Sequence, residues 1–374
     1  MESTPWVDGL TIGRMLVRTA ERFPDHDAVV FPGMNPDGTR KDRVDGGPCF
    51  RRTYGEMIQS VDRVAKALIG LGVQKGEHVA VWATNWPRWV LLQYATARIG
   101  AVMVNINPAY RAGELAYVLK QSDSVALFLI ERFKTSHYFG MAAEAIPELN
   151  DVTPDTALNA AEFPKLRHVV SMEYRRVGCA HREGPKDVGG GHSPPYVRDW
   201  QDFLALGDPV SDAQLASRAA ELQPGDAINI QYTSGTTGFP KGAMLTHRNL
   251  LLNAFYVGAC QQITDSDRIC APVPFYHCFG CVLAVLCCGV TGAALVIPAE
   301  HFHAESTLAA IEAEKATALY GVPTMFIAQL EHATFAGRKL SSLRTGIMAG
   351  SPCPIEVMNR VVDDMGAREI TIAY

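Results

Sequence analysis

The chain has 374 residues, 48% apolar and 20% charged, which is too long for one small domain and too poor in charge for a disordered solvating tail. Its 34 Lys plus Arg against 39 Asp plus Glu give a formal charge of −5. The basic clusters at 41–43, 51–52 and 175–176 are short and separated, which argues against a nucleic-acid partner.

In chain order, residues 54–71 read as a helix ending near Gly72, and 78–83 as a strand. Pro87 can start the next helix. Residues 101–105 form a second strand pattern, 114–121 a helix and 125–130 a strand. This alternation predicts βαβ units, hence an α/β fold of layered subdomains with largely parallel sheets. Two stretches rich in Gly, Pro, Asp and Arg, 33–47 and 178–195, read as surface loops. A boundary near 200 follows, with a first α/β subdomain over 1–199 and a second over 200–374.

The second half resumes with a strand at 227–231, a turn of glycines and threonines, and a helix from His247 capped by Thr246. Residues 279–299 carry no charge, long enough to span the roughly 30 Å hydrocarbon layer as continuous helix. Gly280, Gly289, Gly292 and Pro298 divide them. A buried helix over 279–288, a glycine turn and a central strand over 293–297 account for the same residues, so no transmembrane span is expected. Strands at 317–320, 343–348 and 369–373 alternate with helices at 323–331 and 354–364. Nine cysteines without a dense pairing pattern, and a start with neither a basic patch nor an apolar run, make the cytoplasm the expected location.

The strongest local signal runs Gln231-Tyr232-Thr233-Ser234-Gly235-Thr236-Thr237-Gly238-Phe239-Pro240-Lys241-Gly242. Gly235 and Gly238 permit close backbone approach, the hydroxyls can donate to phosphate oxygens, and Lys241 adds a positive charge. A Walker-type loop would need glycine before the lysine and Ser or Thr after it, where this chain has Pro240 and Gly242.

Residues 233–242 match throughout the Thr-Ser-Gly-Thr-Thr-Gly-x-Pro-Lys-Gly signature, and here the chain resembles the adenylate-forming superfamily of acyl-CoA synthetases, nonribosomal-peptide adenylation domains and luciferases. The resemblance extends over 10–374. Val104-Asn105-Ile106-Asn107-Pro108-Ala109-Tyr110 and Asn229-Ile230-Gln231 look most like medium- and long-chain fatty-acyl-CoA synthetases. It implies that the loop closes on the β and γ phosphates of ATP, with Thr233, Ser234, Thr236, Thr237 and Lys241 as phosphate ligands shaped by Gly235, Gly238 and Gly242. Thr237 and Lys241 inherit catalytic roles.

Pro274-Phe275-Tyr276-His277-Cys278-Phe279-Gly280 places three aromatics and one histidine before an apolar segment. By itself it reads equally as a pocket wall with one polar contact or as a core histidine. The resemblance gives Phe275 and Tyr276 to the acyl site and makes His277 a residue that orients the carboxylate. Cys278 and Cys281 read as packing residues. Gly321, in Tyr320-Gly321-Val322-Pro323-Thr324, is assigned to the acyl pocket. Gly350 and Ser351 are assigned to the turn against which adenine and the acyl group lie. Tyr374 matches the first residue of Tyr-Gly-x-Thr-Glu, whose tyrosine meets adenine and whose glutamate helps coordinate Mg²⁺.

The resemblance therefore implies a fatty-acid–CoA ligase using ATP, Mg²⁺ and CoA. A carboxylate is converted to acyl-AMP with release of pyrophosphate, and the acyl group then passes to CoA. The rest of the Tyr-Gly-x-Thr-Glu motif, the ribose-binding aspartate and the C-terminal-domain lysine are absent from the 374 residues. The sequence thus reads as a fragment, inactive alone, with no metal ligand of its own. Two alternatives stay open: carboxylate activation for a carrier-protein thiol, and a non-catalytic nucleotide-binding or interaction fragment. A homo-oligomer is allowed for.

Overall fold

Short runs of Val, Ile, Leu, Ala and Phe become strands buried on both faces, as parallel sheets covered by helices require. The protein is described from a computed structural model, which covers residues 4–33, 49–153, 155–156, 158–173, 196–233 and 240–373. In chain order the strands are β1 (Asp27–Phe31), β2 (Phe50–Thr53), β3 (His78–Trp82), β4 (Val102–Ile106) and β5 (Ala126–Leu129), then the short β6 (Arg132–Phe133) and β7 (Ser136–His137). β8 (His168–Ser171), β9 (Ala227–Thr233), β10 (Lys241–Thr246), β11 (Arg268–Cys270) and β12 (Ala294–Val296) follow, and β13 (Ala318–Gly321), β14 (Thr345–Ala349) and β15 (Glu369–Ala373) complete the set.

One sheet has the order β10-β9-β4-β3-β5-β8 and the other β15-β14-β13-β11-β12-β1-β2. The β9–β10 and β1–β2 pairs are antiparallel, and the other pairs in these two sheets are parallel. The boundary expected near 200 does not separate them. β9 and β10 extend the sheet built from the first half, while β1 and β2 close the sheet built from the second. The reason is a long-range register: Val29 of β1 lies opposite Leu295 of β12. An ion cluster reinforces this crossing, with Arg268 reaching Asp27 at 2.7 Å and Glu314 at 2.5 Å, and Arg51 pairing with the same two carboxylates. The loop expected at 33–47 lies outside the described residues beyond Gly33, and that at 178–195 lies wholly outside them.

Local signals set the helix starts. Thr53 and Glu56 form a reciprocal cap on the helix Tyr54–Gly70, Pro87 occupies the first turn of Pro87–Ile99, and Thr246 with Asn249 caps His247–Cys260.

The uncharged stretch has the expected helix, glycine turn and strand, but the helical part over 279–288 is not a plain α-helix. Phe279–Leu286 is a π-helix, continued by an α-helix over Cys287–Thr291 and then by β12. A π-helix pairs each carbonyl with the N–H five residues on, and buried carbonyls left over where it meets other backbone must find other donors. The helix Pro87–Ile99 supplies them: Gln93 Nε2 donates to the Cys281 carbonyl at 3.0 Å and the Tyr94 hydroxyl to the Val285 carbonyl at 2.9 Å. Among the described residues no helix is long and apolar enough to cross a membrane.

Candidate active site

The phosphate-loop sequence connects two antiparallel strands. Thr233, at the end of β9, pairs with Lys241, at the start of β10, and the Thr233 hydroxyl donates to the Lys241 carbonyl at 3.5 Å. Both residues are exposed. Ser234, Gly235, Thr236, Thr237 and Gly238 lie outside the described residues. The far end of the turn is held by Tyr117, whose hydroxyl donates to the Pro240 carbonyl at 3.1 Å. Tyr232, inside the base, has its phenol pushed up to about 12 by burial, with Tyr117 and Tyr110 adding to the effect. It is a neutral hydroxyl at physiological pH.

The aromatic–histidine segment is gripped from the other half of the chain. Asn85, in the turn after β3, donates through Nδ2 to the Val273 carbonyl and accepts the Phe275 N–H through Oδ1, both at 2.9 Å. Phe275 is buried against Trp89, with ring centroids 5.5 Å apart. Two residues on, His277 is exposed, and its Nδ1 accepts the Phe279 N–H at 3.1 Å. That bond leaves the ring proton of the neutral form on Nε2. Partial burial lowers the His277 pKa and favours that neutral form. The turn is tight: a Cβ on Gly280 would lie 2.3 Å from the Pro274 carbonyl oxygen. Cys281 is buried, but Cys278, expected to pack, is exposed with its sulfur 3.7 Å from His277 Nδ1.

Two contacts join this segment to its surroundings. Gln231, two residues before Thr233, donates through Nε2 to the Cys281 thiol at 3.2 Å. On the opposite side Phe279 stacks on Tyr320 of β13 at 6.0 Å. β13 and β14 run parallel and end together, with Gly321 paired to Met348. Gly350, just beyond β14, is left-handed at φ 85°, and a Cβ there would meet Val322 Cγ1 at 3.1 Å. Ser351 is exposed beside it. Ala373 of β15 pairs with Ala349, and the next residue, Tyr374, lies outside the described residues. Gly321 and Gly350 thus sit at the carboxyl edge of adjacent parallel strands, where open α/β sheets bind ligands.

A cavity of about 370 Å³ opens beside Tyr276 and Asn85, with Met325, Arg111, Lys134 and His301 also on its walls. Arg98 pairs with Asp62 at 2.6 Å and Trp89 is fully buried, whereas Arg111 lines this cavity. Asn85, Tyr117 and Lys134 were missed altogether. The signal for Asn85 was its place in the turn between a parallel strand and a proline-started helix. His247 serves the core: it is wholly buried and its Nδ1 accepts the Ile12 N–H at 3.2 Å.

Among the described residues no group of three or more His, Cys, Asp or Glu side chains could hold a metal ion.

The 374 residues are 44% identical over 364 residues to the putative acyl-CoA synthetase YngI of Bacillus subtilis (strain 168), covering 97% of this chain and 60% of that protein. They are 34% identical over 382 residues to the mitochondrial medium-chain acyl-CoA ligase ACSF2 of Danio rerio, covering 100% and 58%. The chain thus spans about three fifths of the length of these relatives. In fold it resembles the crystal structure of the anthranilate CoA ligase AuaEII in complex with anthranoyl-AMP, with a TM-score of 0.75 and 23% identity over 98% of this chain and 60% of that one. The cytoplasmic expectation is corrected by these relationships: the matched medium-chain ligases, from zebrafish to human, are mitochondrial proteins, and the lack of an N-terminal apolar run could not speak to that compartment. The model of the family described as AMP-binding enzyme matches residues 16–374, and the chain belongs to that family.

Proposed function

We propose that this chain carries the ATP- and carboxylate-binding part of an acyl-CoA ligase acting on medium- or long-chain carboxylic acids. The observation that carries the reading is the Gln231–Cys281 contact, which brings the base of the phosphate loop against the segment bearing His277. The naming of the zebrafish relative as a medium-chain ligase and the aromatic and apolar surroundings of His277 support the substrate class.

The acid is already ionised near neutral pH, so no base has to remove a proton before attack. Its oxygen attacks the α-phosphorus of ATP, the bond to the bridging oxygen breaks, and pyrophosphate leaves, giving acyl-AMP. Lys241 and the loop hydroxyls stabilise the phosphate charge. Neutral His277 offers its Nε2–H to the carboxylate and orients it without competing as a base. In the longer protein the CoA thiol then takes the acyl group and AMP departs. ATP and CoA are co-substrates; the loop, Gly350, Ser351 and Tyr374 receive the nucleotide, and Phe275, Tyr276 and Gly321 the acyl side.

Calorimetry tests the reading with ATP and with dodecanoyl-sulfamoyl-adenosine, a stable acyl-adenylate mimic. The mimic should bind at one site and at least about 100-fold more tightly than dodecanoate, as mimics of reaction intermediates do. Lys241→Ala should weaken ATP at least tenfold and spare the mimic, which has no β or γ phosphate. No saturable binding of either ligand rejects the proposal. Comparing CoA with a carrier protein as acceptor in the longer protein decides between ligase chemistries.

A further inference from the structure

We infer that the Cys281 thiol is a positioning residue that couples ATP binding at the phosphate loop to carboxylate binding at His277. The inference rests on the function proposed above and adds to it a communication between the two half-sites.

The loop side reaches Cys281 through its sulfur. Gln231 Nε2 donates to Cys281 Sγ at 3.2 Å while also reaching Asn229 Oδ1 at 2.9 Å. Asn105 Nδ2, on the neighbouring strand β4, lies 3.9 Å from the same sulfur. The carboxylate side reaches Cys281 through its backbone. The Cys281 N–H donates to the His277 carbonyl at 3.0 Å, and the Cys281 carbonyl takes Gln93 Nε2 at 3.0 Å. One residue therefore touches the strand that carries the phosphate loop, and the peptide of His277 itself.

The cluster is also built to shift. Gln93, Asn105, Asn229, Gln231 and Cys281 are all at most 8% exposed, so their polar atoms cannot turn to water. Yet Gln93 Oε1 and Asn105 Oδ1 have no hydrogen-bond partner. Burial raises the Cys281 pKa strongly, keeping the sulfur a neutral, weak acceptor. A buried network left partly satisfied gains from any rearrangement that supplies the missing donors. The backbone here is mixed in pattern, the Cys281 N–H bonding four residues back to the His277 carbonyl where the π-helix from Phe279 begins. When nucleotide binds beside β9, Gln231 changes its grip on Cys281 and the His277 peptide follows.

The test is the affinity of α,β-methylene-ATP, which cannot react, measured by calorimetry with and without saturating dodecanoate. The unsubstituted chain should show an affinity ratio of roughly fivefold or more, the lower range of measured site-to-site coupling. Gln231→Met and Cys281→Ala should bring that ratio to within twofold of unity while each separate affinity changes less than about threefold. Cys281→Ser, which restores a hydrogen-bonding side chain, should recover most of it. A role in packing alone would lower thermal stability without altering the ratio. If Gln231→Met does not fold, Cys281→Ala decides. A ratio near unity in the unsubstituted chain, or one unchanged by Cys281→Ala, overturns the inference and leaves the proposed function standing. Absence of nucleotide binding overturns both.

Discussion

The side-chain oxygen of Asn85 accepts the backbone N–H of Phe275 at 2.9 Å, across 190 positions of sequence. With the amide nitrogen on the Val273 carbonyl, a single buried side chain substitutes for strand pairing on both sides of Pro274. It ties the sheet of β3, β4 and β5 to the segment that presents His277.

Asn85→Ala leaves that N–H and that carbonyl buried without partners, at a cost of about 1–3 kcal/mol each. A lower melting temperature is expected. Because the released segment carries His277, carboxylate affinity should fall about tenfold, while ATP affinity stays within threefold. Scanning calorimetry and separate titrations of the two ligands check this; equal losses for both would show a general structural effect.

Gly280 and Gly113 should respond to alanine with opposite signs. At Gly280 a Cβ meets the Pro274 carbonyl oxygen at 2.3 Å, the Pro274 carbonyl carbon at 2.7 Å and the Phe275 Cα at 2.8 Å. All three are backbone atoms that cannot rotate away. Gly113 lies exposed in the helix Ala112–Ser122 with nothing within 4 Å of its Cβ position. Gly113→Ala should stabilise by about 0.5–1 kcal/mol, whereas Gly280→Ala should destabilise by more than about 2 kcal/mol. Urea unfolding of the two variants measures both.

Features written in consecutive residues were legible. The proline start at Pro87 and the Thr246 cap were read where the helices begin. What failed was allocation between sheets. The strand Asp27–Phe31 was not read, and nothing local says that its neighbour will be β12, more than 260 residues away. Asn85 was marked only by its turn before Pro87, since its partners lie in the backbone of a distant segment. The π-helix was missed because its extra donors, Gln93 and Tyr94, come from another helix.

Acid should weaken the fold through His247. Burial is the main cause of its lowered pKa, about 4 against an ordinary 6.5, with the charge of Asp226 opposing. Above pH 6.5 the imidazole is neutral whether the chain is folded or not, and the group contributes no pH dependence. As pH falls from 6.5 to 4 only the unfolded chain takes up the proton, and about 3 kcal/mol of stability is lost. Below 4 both states are protonated and this contribution levels off. His168, also lowered to about 4 by burial with Arg167 nearby, adds in the same direction. His247→Asn, which keeps an acceptor for the Ile12 N–H, should flatten the stability profile near pH 5 by about 1.4 kcal/mol per pH unit. Urea midpoints between pH 4 and 8 give the slope; an unaltered slope would mean that His247 does not titrate in this way.

The last test concerns how the phosphate loop is tethered. Tyr117 gives its proton to the Pro240 carbonyl at 3.1 Å and accepts from Gln121 Nε2 at 2.8 Å. Its hydroxyl therefore fixes the residue immediately before Lys241 against the helix Ala112–Ser122. Tyr117→Phe keeps the ring and removes the hydroxyl's bonds to the Pro240 carbonyl and to Gln121, the first of them a change of about 1 kcal/mol. If the tether sets where Lys241 stands before ATP arrives, most of that energy is withdrawn from ATP binding, and affinity should drop about fivefold. The melting temperature should move by less than 2–4 °C, the shift that 1 kcal/mol produces in a larger domain. An unchanged ATP affinity with a lowered melting temperature would assign Tyr117 to stability alone.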